Sequence, residues 1–292
     1  MGDYHPEAPA RITAIQDHLL SSGLDFVLKS KDAKPIQREL LELAHDKNYI
    51  DYIFANAPAT GTFIVDPDTS MNPFTLNAAL LSAGAAVEAV DMVMNGETGA
   101  AFCATRPPGH HAMHNKAMGF CFFNNIAIAA LYAREKYQLQ RVAIVDFDVH
   151  HGNGTEDILT DKEGFLFCSL FQHPFYPFSG ALGSAEHIIN TPLPASTSSK
   201  EFQQQVTDVW LPALNNFNPE LVLISAGFDA HIEDDISNFR LVENDYRWVT
   251  ERMVKVAEEH AQGRIVSVLE GGYALSALGR SVTAHINELL GG

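Results

Sequence analysis

The sequence predicts an α/β fold of one domain, with a central, mostly parallel β-sheet, helices on both faces, and an active site at the C-terminal ends of the strands. Three observations lead there. Short, continuously apolar runs alternate with longer amphipathic stretches along the 292 residues. No repeat, low-complexity tract or linker breaks that alternation. Polar, glycine-containing clusters follow most of the apolar runs. Apolar strands separated by helices mark a parallel sheet covered on both sides, and such sheets bind ligands in the crevice beyond the strands' carboxyl ends.

In chain order, a helix is expected over Thr75–Met94 and a strand over Ala100–Ala104, followed by Arg106-Pro107-Pro108-Gly109-His110-His111. A helix over Asn124–Tyr137 leads to the strand Val142–Phe147, whose end carries Asp146-Phe147-Asp148-Val149-His150-His151-Gly152. The strand Phe165–Leu170 and the helix Lys200–Asn215 come next. The strand Leu221–Ala226 runs into Ser225-Ala226-Gly227-Phe228-Asp229, and the helix Glu243–Ala261 follows. The strand Ile265–Leu269 ends in Glu270-Gly271-Gly272-Tyr273, before a last helix, Ala274–Leu290. Four polar clusters therefore converge on one rim.

Composition narrows the function. Hydrophobic residues make up 46% and charged residues 19%, the balance of a globular chain with a large core. With 19 basic against 36 acidic residues the net charge is −17, which disfavours a nucleic-acid partner and suits cationic ones such as lysine-rich tails or polyamines. The apolar stretches are expected to fall short of the ~20 residues that cross a bilayer, so no membrane partner is expected. Cys103, Cys121 and Cys168 lie in apolar segments without CxxC spacing and read as reduced core residues of a cytoplasmic protein.

Asp146, Asp148 and His150 follow an i, i+2, i+4 pattern at a strand end, so all three can face one centre. Oxygen and nitrogen donors suit zinc or a similar divalent ion. A catalytic zinc takes three protein ligands and keeps one position open, and Asp229 is the candidate from a second rim loop. Spacing does not separate Asp146 from Asp148. A lone Asp-x-His is usually just a polar strand end. Here His110-His111 on the same rim makes a metal site the better reading.

These residues resemble the histone deacetylase family. The likeness rests on Pro107-Pro108-Gly109-His110-His111, Gly119-Phe120-Cys121 with Asn124-Asn125, Asp146-x-Asp148-x-His150-His151-Gly152-Asn153-Gly154-Thr155, Ser225-Ala226-Gly227-Phe228-Asp229 and Glu270-Gly271-Gly272-Tyr273. It runs from His5-Pro6-Glu7 to near the C-terminus, and Asn153 with the Glu-Gly-Gly-Tyr ending resembles class II enzymes and bacterial histone-deacetylase-like amidohydrolases. The resemblance implies an arginase/deacetylase-like catalytic domain over residues 1–292 and hydrolysis of acetyl-lysine by a metal-activated water. It implies zinc on Asp148, His150 and Asp229, and potassium on Asp146, Asp148, His150, Ser169 and Leu170.

It further implies that His111, partnered by Asn153, is the acid/base, and that His110, held by Asp146, is an electrostatic helper. Tyr273 would donate to the oxyanion, with Gly271 and Gly272 letting backbone approach the substrate. Phe120 and Tyr176 would wall the tunnel for the acyl-lysine chain; family members more often carry phenylalanine at the second position. Arg11 resembles the arginine lining an internal acetate channel. Family members usually carry a strand before His-Pro-Glu, so a start at Met1-Gly2-Asp3 suggests a missing strand and an uncovered sheet edge.

Other readings stay open. Glu233, Asp234 and Asp235 leave an acidic rim that an acetylated polyamine could use, although Ile236 stands where the polyamine-selective relative has glutamate. A non-catalytic acetyl-lysine binding module is disfavoured by the retained ligands, histidines and Tyr273. An arginase-like manganese hydrolase would need carboxylates for a second metal. An oligomer is possible.

Overall fold

A computed structural model of the protein describes residues 5–181 and 184–291. Helices α1 (Ala10–Ser22), α2 (Arg38–Leu41) and α3 (Lys47–Ala55) come first, then a hairpin of β1 (Phe63–Asp66) and β2 (Thr69–Met71). The main run follows: α4 (Thr75–Met94), β3 (Ala100–Cys103), α5 (Asn125–Tyr137), β4 (Val142–Asp146), α6 (Asn153–Leu159), β5 (Phe165–Gln172) and β6 (Ile188–Leu193). It closes with α7 (Ser199–Gln205), α8 (Leu211–Phe217), β7 (Leu221–Ala226), α9 (Glu243–His260), β8 (Ile265–Leu269) and α10 (Leu275–Leu289). The six strands from β3 onward form one all-parallel sheet in the order β3-β8-β7-β4-β5-β6.

Alternation along each strand sends neighbouring side chains to opposite faces. Val142 and Ile144 pack in one apolar cluster with Ile126, Ala130 and Val90, while Ala143 and Val145 pack in the other with Trp210, Tyr246 and Val249. Both faces of the sheet are thus covered, as the continuous apolar strands required. Each such fully buried aliphatic or aromatic side chain contributes about 1.5–3 kcal/mol.

Helix starts follow from side chains that accept free N–H groups. Asp46 caps α3, Asn124 caps α5, and Ser198 with Glu201 forms a capping box at α7. The helix expected over Lys200–Asn215 is broken into α7, a π-turn at Val206–Trp210, and α8 with Pro212 in its first turn. Proline offers no N–H and its ring crowds the preceding turn, which the wider π-turn relieves.

Helix α4 corrects the expectation about apolar stretches. It is 20 residues long with an 18-residue stretch at a mean hydropathy of 1.4, enough to cross a membrane by length and composition. Its Ala83, Ala86 and Val90 are buried in the core beside α5 residues such as Ile126 and Ala130, the position of a core helix. Gly84 in its middle lets the Lys34–Ile36 backbone cross against it: a Cβ there would lie 1.9 Å from the Lys34 carbonyl oxygen.

Strand β6 has no counterpart among the expected strands because Asn190, Thr191 and Pro192 interrupt its apolar pattern. At the sheet edge it needs only one row of hydrogen bonds, so proline is tolerated there. The opposite edge is β3, with Ala100 to Phe102 partly exposed. Met1 to Tyr4, on which the expectation of a missing first strand turned, lie outside the described residues.

Candidate metal centre and active site

The rim clusters meet at the carboxyl ends of the central strands. Asp146 is the last residue of β4, in register with Ser169 on β5 and Ser225 on β7. The loop after β3 brings His110 and His111, the turn after β4 brings Asp148 and His150, and the loops after β7 and β8 bring Asp229 and Tyr273.

Asp148, His150 and Asp229 hold their ligand atoms within 4.8 Å of one another. His150 Nδ1 stands 3.0 Å from Asp148 Oδ1 and 3.1 Å from Asp229 Oδ2. Asp229 Oδ1 accepts the Val149 N–H (3.0 Å) and Asp148 Oδ2 accepts the Gly271 N–H (2.8 Å). Asp229 Oδ2 is buried with no hydrogen-bond partner, an arrangement that otherwise costs free energy and that a cation would relieve. Glycines make room for the pair: a Cβ at Gly227 would lie 2.1 Å from Asp148 Oδ2, and one at Gly271 2.2 Å from Asp229 Oδ2. Two carboxylates and one imidazole, closed in and aimed at a common point, fit one divalent ion.

Charge is finely divided here. Burial opposes ionisation of Asp148, but His110 and His150 outweigh it and hold that carboxyl far below the usual range. Asp229 is pushed up to about 6 by burial and by Asp148's charge. Burial would lower His150, yet Asp229 and Asp148 bring it up to about 10.

Asp146 stands apart from this cluster. Its Oδ2 meets His110 Nδ1 at 2.9 Å and its Oδ1 accepts the Asp148 N–H at 3.1 Å. The structure thereby separates the two aspartates that spacing left equivalent. Ser169 Oγ meets His151 Nδ1 at 3.1 Å, and Leu170 follows it along β5.

The histidine pair is asymmetric. The rings lie 4.0 Å apart. Burial lowers His110, but Asp146, Asp148 and Glu270 raise it to about 10, which makes it the more basic of the pair. His111 is depressed well below 6.5 by burial and then by the positive charges of His110 and His150, rather than resting near its ordinary value. His111 Nδ1 faces Asn153 Oδ1 at 2.7 Å, and an amide oxygen only accepts, so Nδ1 carries the proton and Nε2 a free lone pair.

Tyr273 follows Gly272, whose φ of +121° and tight packing on Leu278 and Phe228 admit only glycine. Its ring stands 6.1 Å from Phe120, with the Arg11 guanidinium 4.9 Å over it. Dense packing holds its hydroxyl protonated, well above its ordinary pKa, and it feels the charges of Asp229 and Asp148. Arg11 is fully buried and donates to the Gly272 carbonyl at 2.7 Å, so it is no helix-surface residue. Tyr176 stands edge-on to His111 at 5.3 Å, its hydroxyl buried without a hydrogen-bond partner.

Comparison with known proteins decides the family: the histone deacetylase domain matches residues 5–289. The chain belongs to the histone deacetylase family. It is 36% identical over 294 residues to the histone deacetylase-like amidohydrolase of Pseudomonas aeruginosa, covering 98% of this chain and 77% of that one. A probable deacetylase of Archaeoglobus fulgidus is 35% identical over 280 residues, covering 93% and 77%. The solved structure of the HDA15 HD domain superposes with a TM-score of 0.94 at 33% identity, covering all of this chain and 83% of that one. The family makes the chain a deacetylase-type hydrolase of acetylated substrates.

This histone deacetylase fold also shows contacts that the motifs did not state. Phe175 stacks on His150 at 5.4 Å and 19°. Asp68, in the β1–β2 turn, accepts the Gly119 N–H at 3.0 Å and lies near Tyr176. Glu270 turns its carboxylate under the histidine loop, accepting the Gly109 and His110 N–H groups at 2.7 and 3.1 Å. Glu7, marked in the sequence by His5-Pro6-Glu7 and by its i, i+4 spacing to Arg11, pairs with Arg106 and with Arg11.

The acidic rim is partly engaged: Glu233 pairs with Arg280 at 2.6 Å and Asp234 is buried, while Asp235 is exposed. His231, Glu233 and Glu243 also lie close enough for a metal. His231 Nδ1, however, accepts the Glu233 N–H at 3.1 Å, which leaves the proton on Nε2, and Arg280 pairs with both glutamates. That group is an ion-pair network.

Proposed function

We propose that the protein is a zinc-dependent deacetylase that removes acetyl groups from acetyl-lysine side chains, with residues 1–292 as its catalytic domain. The observation that carries the reading is the Asp148–His150–Asp229 cluster beside two adjacent histidines, one held by Asp146 and the other by Asn153, whose surroundings push their pKa values in opposite directions. Groups whose surroundings push their pKa values apart divide acid from base.

Asp148, His150 and Asp229 would hold the ion. A divalent ion there would supply Lewis acidity toward the acetyl carbonyl and lower the pKa of a water in the cleft. Phe120 and Tyr176 grip the aliphatic chain between their rings and exclude bulk water. The free Nε2 of His111 takes the proton from the attacking water, while Asn153 keeps the ring in the tautomer that can do so. His110, the more basic of the pair and pinned by Asp146, stabilises the negative charge that develops beside it. The Tyr273 hydroxyl donates to the carbonyl oxygen as that oxygen becomes an oxyanion. His111 then returns its proton to the leaving amine, which leaves as free lysine with acetate as co-product. Gly271 and Gly272 let this approach occur without a side chain in the way.

With Glu233 paired to Arg280, Asp234 buried and Ile236 in place of a glutamate, Asp235 is the exposed unpaired carboxylate of this loop among the described residues, which favours acetyl-lysine over an acetylated polyamine. Asp146 and Ser169 are neighbours in register on β4 and β5, and with Leu170 they would be among the donors if a structural potassium ion is bound. Three buried free thiols support a cytoplasmic setting.

Acetate release from an acetyl-lysine peptide and from an acetylated polyamine, each with and without chelator, tests the reading. The peptide should turn over, and chelator should abolish it. Binding of the peptide without acetate release would make the protein a binding module instead.

A further inference from the structure

From the sequence, Glu233 to Asp235 read as an acidic rim. In the structure Asp234 is only 5% exposed and does something else. Its Oδ2 accepts two backbone N–H groups, from Tyr273 at 2.6 Å and from Ala274 at 3.0 Å. Its Oδ1 accepts the Ile236 N–H at 3.2 Å, which braces the carboxylate from its own loop. The next tie is Glu233 to Arg280 on α10.

The turn that carries Tyr273 needs such a hold. Gly271 and Gly272 precede it and give the backbone little stiffness of their own. Ala274, at the start of α10, has no side chain that can cap the helix. A carboxylate arriving from a distant loop fills both needs. It sits at the positive end of the α10 dipole, and hydrogen bonds to an ionised oxygen are roughly twice as strong as neutral ones. The loop that presents Asp234 begins at Asp229 and is anchored there, with Ser237 Oγ donating to the Asp229 carbonyl at 2.5 Å. One loop therefore carries a candidate metal ligand and grips the backbone of the candidate oxyanion donor.

We propose that Asp234 is a positioning residue for Tyr273, holding its amide and the next so that the phenol hydroxyl keeps its register with the metal cluster. The catalytic consequence rests on the reading of Tyr273 as the oxyanion donor.

Amide hydrogen exchange and a double-mutant cycle test this together. In Asp234→Ala, exchange at Tyr273 and Ala274 should quicken by at least about 10-fold, the loss expected for a hydrogen bond to a charged group. Asp234→Asn, whose amide oxygen still accepts, should keep most of the protection and of the activity. A displacement of the donor by 1 Å can cost about 10²-fold in rate. Asp234→Ala should therefore lower kcat on an acetyl-lysine peptide by up to that factor, with KM little changed. In the Tyr273→Phe background the same change should cost almost nothing more, because residues acting through one group are not additive. Unchanged exchange at the two amides overturns the proposal. So does an equal loss of kcat in both backgrounds, which would mark general damage. If Tyr273→Phe alone keeps full kcat, the reading of Tyr273 fails, and exchange still decides whether Asp234 holds the turn.

Discussion

Gly271→Ala isolates the space that the candidate metal centre requires. The alanine Cβ would stand 2.2 Å from Asp229 Oδ2 and 2.6 Å from Asp148 Oδ2, where ordinary contact starts at 3.4 Å. The φ of Gly271 is not positive and its N–H survives in alanine, so neither backbone strain nor the loss of its bond to Asp148 enters. What remains is a push of about 1 Å on both carboxylates. Overpacking of this kind costs about 1–3 kcal/mol of stability, and a 1 Å misplacement of reacting groups about 10²-fold in rate. We expect the purified variant to bind metal less tightly, to melt a few degrees lower, and to deacetylate about 10²-fold more slowly. Gly99→Ala, whose nearest contact would be an ordinary 3.6 Å, is the matched control and should behave as wild type. Wild-type turnover and full metal content in Gly271→Ala would refute the argument that these two carboxylates share one crowded centre.

Further outcomes follow from the same geometry. His111→Ala should lower turnover by about 10²–10⁴-fold while metal content, read by elemental analysis, stays near one per chain; near-normal turnover removes His111 from the mechanism. Tyr273→Phe should lower kcat by about 10²-fold or more with little change in substrate binding, since a donor to the oxyanion acts only in the transition state; an unchanged kcat contradicts the assignment. His45 and His285 are buried and their pKa values are lowered by desolvation to about 4 and about 3. The unfolded chain takes up these protons below pH 6.5 while the folded chain stays neutral, so stability falls as pH drops from 6.5 toward those values. At pH 4.5 each contributes about 2–3 kcal/mol of destabilisation. His285→Gln should flatten the pH dependence of denaturant midpoints, and an unaltered slope would sink this account.

The sheet was legible because Leu221–Ala226 and Ile265–Leu269 are apolar runs broken only by Ser225 and Ser267, and their bounds agree with the observed strands. Strand β6 was not, because an edge strand is free to carry Pro192 and polar residues. Helix α1 was hidden for a related reason: the side chains it buries include a charged arginine, whose partners are backbone carbonyls more than two hundred residues away. The rim residues were readable because chemistry concentrates His, Asp and Gly after strand ends. Their individual parts were not. Asp146 and Asp148 share one spacing pattern, and only the fold tells them apart, setting Asp146 against His110 Nδ1 and Asp148 beside His150 and Asp229. The depressed pKa of His111 depends on its neighbours' charges and on burial, neither of which a motif states. Phe175, Asp68 and Asp234 reach the site from loops and turns whose positions only the folded backbone sets.

The account stands or falls on one metal centre made by Asp148, His150 and Asp229. The direct measurement is to strip the protein with chelator, then titrate zinc back while following metal content and acetate release from an acetyl-lysine peptide. Activity should vanish on stripping and return in full at one equivalent, and Asp229→Ala should bind no stoichiometric metal and stay inactive. Full turnover in the stripped protein, a requirement for two equivalents, or normal metal binding in Asp229→Ala would contradict it.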